Sequence, residues 1–407
     1  MLVNYFVVLI VLLLLSGLAI DAGMLEFWQI HMQNAADAAA QQAVYQFGRN
    51  DSAFVTEGKA QASANGFTDG VNGVNVKITQ PPTSTIWVGD SWSVQATVSQ
   101  SVPNIFMPLL GAARSTVAAT AVGRVLPTCV WIMNPSNSTS NPSFWLASAT
   151  LSGACGLYVN TASGPSVKVD GFATLANLRS RIVGPSSGNS SSGNIVPVPK
   201  FNAAQKNDPL AYVTSPSFSS CTSGDTGIRL SSYTGSVNPA TYCGGLSISN
   251  STVTLNPGLY TITGGLTISG STIYGTSGVT LFFTAGGGSS YGTVSASNSA
   301  IYLKAATTAS GGAVPGIVIF GDRNWVGHGS AGLSFSNTPV QCDGIWYVPN
   351  IGVSMWQSPL SFYSYNGLVV DNLYMYGSTS NMAVNYAPLG SYITGTPYHY
   401  EDGALVN

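Results

Sequence analysis

Leu2 to Ile20 reads LVNYFVVLIVLLLLSGLAI, an apolar run broken only by Asn4 and Ser16. At about 1.5 Å per residue these positions make a helix of roughly 28 Å, long enough for a thin hydrocarbon core. The pattern predicts a transmembrane anchor helix over residues 1–23. A cleaved signal peptide would have a shorter apolar core and a basic start. No Lys or Arg precedes Arg49, so charge does not orient the helix. Asp21 closes the run. It reads either as a carboxylate that sets helix depth or meets a partner, or as a group at the lipid–water boundary reaching solvent. Beyond it, Met24 to Phe47 continues with Leu25, Trp28, Met32, Ala35, Ala39 and Ala43 at spacings of three and four. Gln33, Asn34, Asp37 and Gln41 lie off this narrow stripe, which suits close contact with a helix or sheet. Trp28 is also a candidate interfacial anchor.

Residues 24–125 read as an α+β domain. A second helix is expected over Phe54 to Asn65, capped by Asp51 or Ser52 and ended by Gly66 and Gly70. Val74–Gln80, Trp92–Gln100 and Ser115–Arg124 alternate apolar and polar positions, as half-buried antiparallel strands do. Val102–Gly111 (VPNIFMPLLG) reads as a short apolar helix or turn.

Residues 126–407 read as an irregular β-helix-like domain. Short strands are expected at Cys129–Ile132 and Cys155–Val159, with a loop at Ser186–Ser192 and irregular chain over Lys200–Pro209. From Tyr242 apolar pulses recur every six to eight residues, as in Leu246-Ser-Ile248, Val253-Thr-Leu255 and Leu266-Thr-Ile268. Gly, Ser-Gly and Asn-Pro-Gly turns separate them. That spacing is too short for sandwich strands and fits stacked rungs of a parallel β-helix.

Composition narrows the setting. The chain has 407 residues, and only 7% are charged, with a net charge of −2. No basic cluster offers a footprint for nucleic acid. A surface built from Ser, Thr, Asn and Gly is typical of exported β-rich proteins. Five cysteines without a CxxC pair, and three histidines, argue against zinc and redox motifs. In an exported protein they are disulfide candidates, Cys221 with Cys243 and Cys129 with Cys155, each near one rung apart. Cys342 is left unpaired and buried.

SGLAIDAG (Ser16–Gly23), MQNAADAAAQQAV (Met32–Val44), NGFTDGVNGVNVKI (Asn65–Ile78) and VSQSVPNIFMPLLG (Val98–Gly111) resemble the TadE/TadG-like proteins of Tad (Flp-type) pilus assembly. DPLAYV (Asp208–Val213), YCGGLSIS (Tyr242–Ser249) and VTLNPGLYTITGGLTISG (Val253–Gly270) are similar to the glycine- and serine-rich regions of some TadG-like chains. The resemblance implies a single pass through a bacterial inner membrane, with the bulk of the chain periplasmic or extracellular. It also implies other pilin-like or pilus-assembly subunits as partners. Neither the basic lead of such anchors nor a prepilin-type Gly with Glu five positions on precedes the run. The expected fold is mainly β: an anchored, pilin-like α+β domain, then a right-handed parallel β-helix-like domain.

β-Helices also host carbohydrate-active enzymes, whose sites need converging carboxylates. The candidates are Asp322, Arg323, His328, Asp343 and Asp371. Arg323 would bind a substrate carboxylate, and Asp322 or His328 would act as acid or base. An Asp–Arg pair satisfying a turn is the plainer reading, since no catalytic spacing is present. Trp325, Trp346, Tyr347, Trp356, Phe362, Tyr363, Tyr365, Tyr374 and Tyr376 crowd the last quarter. They read as internal stacking or as a glycan-binding surface. The sequence therefore points to a non-enzymatic component of a Tad-type pilus needing no cofactor, with an adhesin or glycan-binding protein as the alternative.

Overall fold

The computed structural model describes residues 2–48, 53–90, 93–125, 128–135, 141–153, 155–163, 165–176, 178–187, 190–222, 227–286, 290–384 and 403–405. The chain divides into two units, Met1–Leu126 with His399–Asn407, and Pro127–Tyr398. Strand Gly403–Leu405, within the residues expected to form the C-terminal domain, falls in the first unit.

In the first unit a single helix α1, Leu2–Gly48, packs on α2 (Phe54–Ala64) and on an antiparallel meander. The meander comprises β1 (Val74–Thr79), β2 (Ser93–Pro103) and β3 (Arg114–Val125), and strand Gly403–Leu405 pairs antiparallel with β3. Ala53 precedes α2 without a side-chain cap, and the expected caps Asp51 and Ser52 lie outside the described residues. Small side chains bring α1 close to its neighbours. Met32, Ala35, Ala39 and Ala43 are fully buried, and Ala36, Ala40 and Val44 widen the stripe. Leu25 and Trp28 are half-buried. Among the described residues no helix is long and apolar enough to cross a membrane. The side chains of residues 2–7, 10, 11, 13 and 14, within the apolar run, are outside the described set.

The second unit contains only parallel pairings between its described strands, in a ten-stranded and a seventeen-stranded sheet. The larger sheet forms two stacks, because Val340–Val348 and Leu360–Val370 bend from one to the other. The apolar pulses become ladders: Leu246, Leu266, Val294, Leu333, Val353 and Leu373 stand in register on consecutive rungs and are all buried. At one corner each rung turns on a positive-φ residue, Asn250, Gly270, Asn298, Asn337 or Gln357. Asn and Gly tolerate this conformation best. A buried hydroxyl follows and accepts the amide of the preceding rung. Ser271 Oγ takes Ser251 N at 3.1 Å, Ser299 Oγ takes Ser271 N at 3.1 Å, and Ser358 Oγ takes Thr338 N at 3.0 Å. This ladder satisfies amides that the bend removes from the sheet.

The chain enters this stack in its middle. Strand Thr128–Ile132 begins three rungs that run to one end near Val196. The next described strand in the stack, Ile228–Ser231, starts at the other end, and the chain winds back until Asn381–Val384 pairs with Thr150–Gly153. The return is made by a strap over the outer face. Asn160 Oδ1 accepts Lys206 N at 2.8 Å, Phe218 packs on Phe282, and Cys221 bonds to Cys243. Cys129–Cys155 joins neighbouring rungs, whereas Cys221–Cys243 fastens the strap to a rung and does not join two rungs. Cys342 is free and buried.

Candidate functional site

Helix α1 presents a covered face and an exposed apolar stripe. On the covered face Gly17 and Asp21, one turn apart, are both buried. Asp21 does not reach solvent, as an interfacial carboxylate was expected to. It reaches across to the tip joining β2 and β3. Its Oδ1 accepts the amide of Ile105 at 2.7 Å, and its Oδ2 accepts those of Phe106 at 2.9 Å and Met107 at 2.6 Å. These donors precede or open the 3-10 turn Met107–Leu110, whose first amides have no internal partner. Phe106 lies against Gly17 so closely that a Cβ there would stand 2.7 Å from its ring. Beside that face Ile20, Met24, Phe27 and Ile30 are 49%, 40%, 52% and 55% exposed. His31 packs against Phe27 with tilted rings, centroids 4.3 Å apart. This is an exposed apolar stripe on a helix whose covered side at this level holds the buried Asp21 and the half-buried Leu25 and Trp28.

Of the residues singled out near 322, those whose side chains are described are held in contacts within the fold. Arg323 is occupied by the strap: Nε donates to Tyr347 Oη at 2.6 Å, and Nη2 donates to the carbonyls of Leu210 at 3.0 Å and Val213 at 2.7 Å. Tyr347 donates in turn to Asp208, which lies 3.9 Å from Arg323. Burial and then the Asp208 carboxylate push the Tyr347 phenol up, so it stays a donor. Asp322 holds its own turn, accepting Thr284 Oγ1 at 2.6 Å and Asn324 N at 2.9 Å. Phe320 is in register with Tyr347, so Asp322 lies two residues beyond that pair and Asp343 four residues before it. Asp343 and Asp371 are both buried, and Asp371 accepts Asn372 Nδ2 at 2.7 Å. The His328 side chain lies outside the described set, as do those of Phe362, Tyr363 and Tyr365. Among the described residues no group of His, Cys, Asp and Glu could hold a metal ion.

The aromatic residues separate by face. Trp346 and Tyr347 are buried, as the internal reading of these rings expects, and Trp325, offered as a surface candidate, is buried too and stacks on Tyr291 at 6.1 Å. Trp356, 54% exposed, does face outward. Tyr376 lies 6.0 Å from it, Trp145 lies 5.3 Å from Tyr376, and Lys168 Nζ sits 4.3 Å above the Trp145 ring. Trp145 was missed in the sequence because it stands 211 residues before Trp356 and joins it only through the seam of the stack. Gly17, Phe106 and the three tip amides were missed because nothing local links them to Asp21.

The architecture defines a class: a helix-led α/β unit followed by a stacked parallel β unit. Within it, residues 5–45 match the model of the Flp pilus-assembly TadE/G-like family. That segment holds Gly17, Asp21, the small-residue stripe and the exposed apolar stripe. No curated protein and no solved structure matches the chain.

Proposed function

We propose that this chain is a membrane-anchored, non-enzymatic component or assembly factor of a Tad/Flp-type pilus. The apolar start of α1 spans the inner membrane, the pilin-like helix-and-meander unit stands beside it, and the β stack is displayed outside the cytoplasm. The reading rests on the exposed stripe Ile20, Met24, Phe27 and Ile30, inside the segment that matches the pilus-assembly family. Four uncovered apolar side chains on a packed helix are a surface for another subunit's helix. Replacing Phe27 and Ile30 by Ser leaves the covered face intact. The double variant should reach the membrane at normal level yet fail to support pilus assembly or to crosslink to neighbouring subunits through a cysteine at Met24. Normal piliation by this variant would refute the reading.

The aromatic cluster of exposed Trp356 with half-buried Tyr376 and Trp145 supports a second reading, adhesion through glycans, since an exposed aromatic ring stacks on sugars. Trp356→Ala with Trp145→Ala should then abolish surface attachment while pili still assemble. Unchanged attachment would remove this role.

A further inference from the structure

We infer that the tip joining β2 and β3 is a second membrane contact, a wedge that Asp21 clamps against the anchor helix so that it enters the lipid beside it. This rests on the proposed reading of α1 as a membrane anchor. The argument is one of level. Phe106 packs on Gly17, inside the apolar run that ends at Ile20. Three residues of helix separate Gly17 from that end, so the tip reaches about 5 Å past it. The neighbours of Gly17 on α1, Leu15 and Leu18, are 58% and 46% exposed, and whatever solvates them solvates the tip.

The tip itself suits lipid. Ile105, Leu109 and Leu110 are 58%, 74% and 71% exposed, and no charged residue lies between Asp90 and Arg114. Apolar side chains so exposed at one turn are a poor surface for water and a good one for the acyl boundary. A backbone turn at that depth needs its amides satisfied internally. The Asp21 carboxylate does this for three of them, and the tip in turn shields a charge that would otherwise face hydrocarbon. From the other side Asn104 Nδ2 donates to Ala112 O at 2.9 Å and Ser115 Oγ at 3.0 Å, closing the turn. At the opposite end of the sheet Ile86 is 85% exposed, with Val88 62% exposed beside it, and this loop, far from the anchor helix's apolar run, serves as a control.

The test uses the full chain in phosphatidylcholine–phosphatidylglycerol vesicles carrying lipids with nitroxides at shallow or deep acyl positions. Single cysteines at Leu12, Leu109 and Ile86 are labelled with an environment-sensitive fluorophore; the native cysteines are disulfide-bonded or buried and do not compete. The label at 12 should be quenched by the deep nitroxide. The label at 109 should be quenched about twofold by the shallow one, as expected of a wedge about 5–10 Å into the boundary. The label at 86 should be unaffected. Quenching at 12 with none at 109 overturns the wedge and leaves the anchor standing. No quenching at 12 removes the anchor reading and the wedge with it. Asp21→Ala should abolish quenching at 109 and keep it at 12; unchanged quenching at 109 would refute the clamp.

Discussion

Gly123 and Gly23 form a matched pair that tests how closely α1 lies on its sheet. At Gly123 of β3 an added Cβ would come within 2.6 Å of Val44 Cγ1 and 2.8 Å of the Ala40 carbonyl oxygen. The valine can turn, but the carbonyl belongs to the buried helix backbone and cannot yield alone. Gly123→Ala must therefore lift the helix. Overpacking costs roughly 1–3 kcal/mol, and a clash with fixed backbone falls at about 2–3 kcal/mol. Replacing a strand glycine recovers up to about 1 kcal/mol, so the net loss is about 1–2 kcal/mol. At Gly23, on the same helix, nothing lies within 4 Å of the added atom. Gly23→Ala should stabilise by up to about 1 kcal/mol from helix propensity. Both described α-helices belong to the first unit, so circular dichroism at 222 nm during urea unfolding reports that unit. With a slope of about 2 kcal/mol per molar urea, the Gly123→Ala midpoint should fall by roughly 0.5–1 M while that of Gly23→Ala rises. A Gly123→Ala midpoint at or above the parent value would mean that the helix is not seated on the sheet as described.

Ser271→Ala leaves the buried Ser251 amide without its acceptor, and should cost about 1–3 kcal/mol in urea unfolding followed by tryptophan fluorescence. Arg323→Met frees the strap carbonyls of Leu210 and Val213, so limited proteolysis should cut within residues 206–218 at least about tenfold faster than in the parent. The Cys342 thiol, pushed up to about 12 by burial, should not react with a thiol reagent at pH 8 until the protein is unfolded. Because the unfolded chain gives up that proton first, near pH 8.5, this group lowers stability by about 1.4 kcal/mol per pH unit from there to its native value. Cys342→Ala should flatten that decline in denaturation measured between pH 8 and 10.

Periodicity carried most of the fold. The small-residue stripe from Met32 to Ala43 was readable because a helix repeats every three to four residues, and the rungs because Leu246, Ile248, Leu266 and Ile268 alternate inward. The strands β1, β2 and β3 fall within two or three residues of their expected bounds at each end for the same reason. What escaped depends on contacts distant in sequence. Asp21 meets amides 84 to 86 residues away, Arg323 meets carbonyls 110 and 113 residues away, and Trp145 joins Tyr376. A single polar residue carries no period, so its partner cannot be read from its neighbours. The corner hydroxyls were readable in principle as Ser-Asn-Ser and Ser-Gly-Ser repeats at 249–251, 269–271 and 297–299. Their irregular separations of 20 and 28 residues hide the repeat.

The seam of the β stack makes its integrity depend on the last rungs of the chain. Thr128–Ile132 pairs with Leu368–Val370, and Thr150–Gly153 with Asn381–Val384, contacts more than 200 residues apart in sequence. Until residues 360–384 arrive, the rungs built from 128–196 present an open parallel edge, and closing it carries the entropy of a very long loop. Gly153 lies at this junction, and an added Cβ would press on the Val384 carbonyl oxygen, a backbone atom held in the pairing. Gly153→Ala should therefore cost toward the upper end of roughly 1–3 kcal/mol, and only in the second unit. Trp131 and Trp346 are buried there, so tryptophan fluorescence should show a lower urea midpoint while the 222 nm transition of α1 and α2 stays in place. Folding should slow as well, because the substitution weakens the contact that completes the stack. If both probes shift together, or neither does, the stack is not closed at this seam, and the two ends of the chain in the second unit fold without each other.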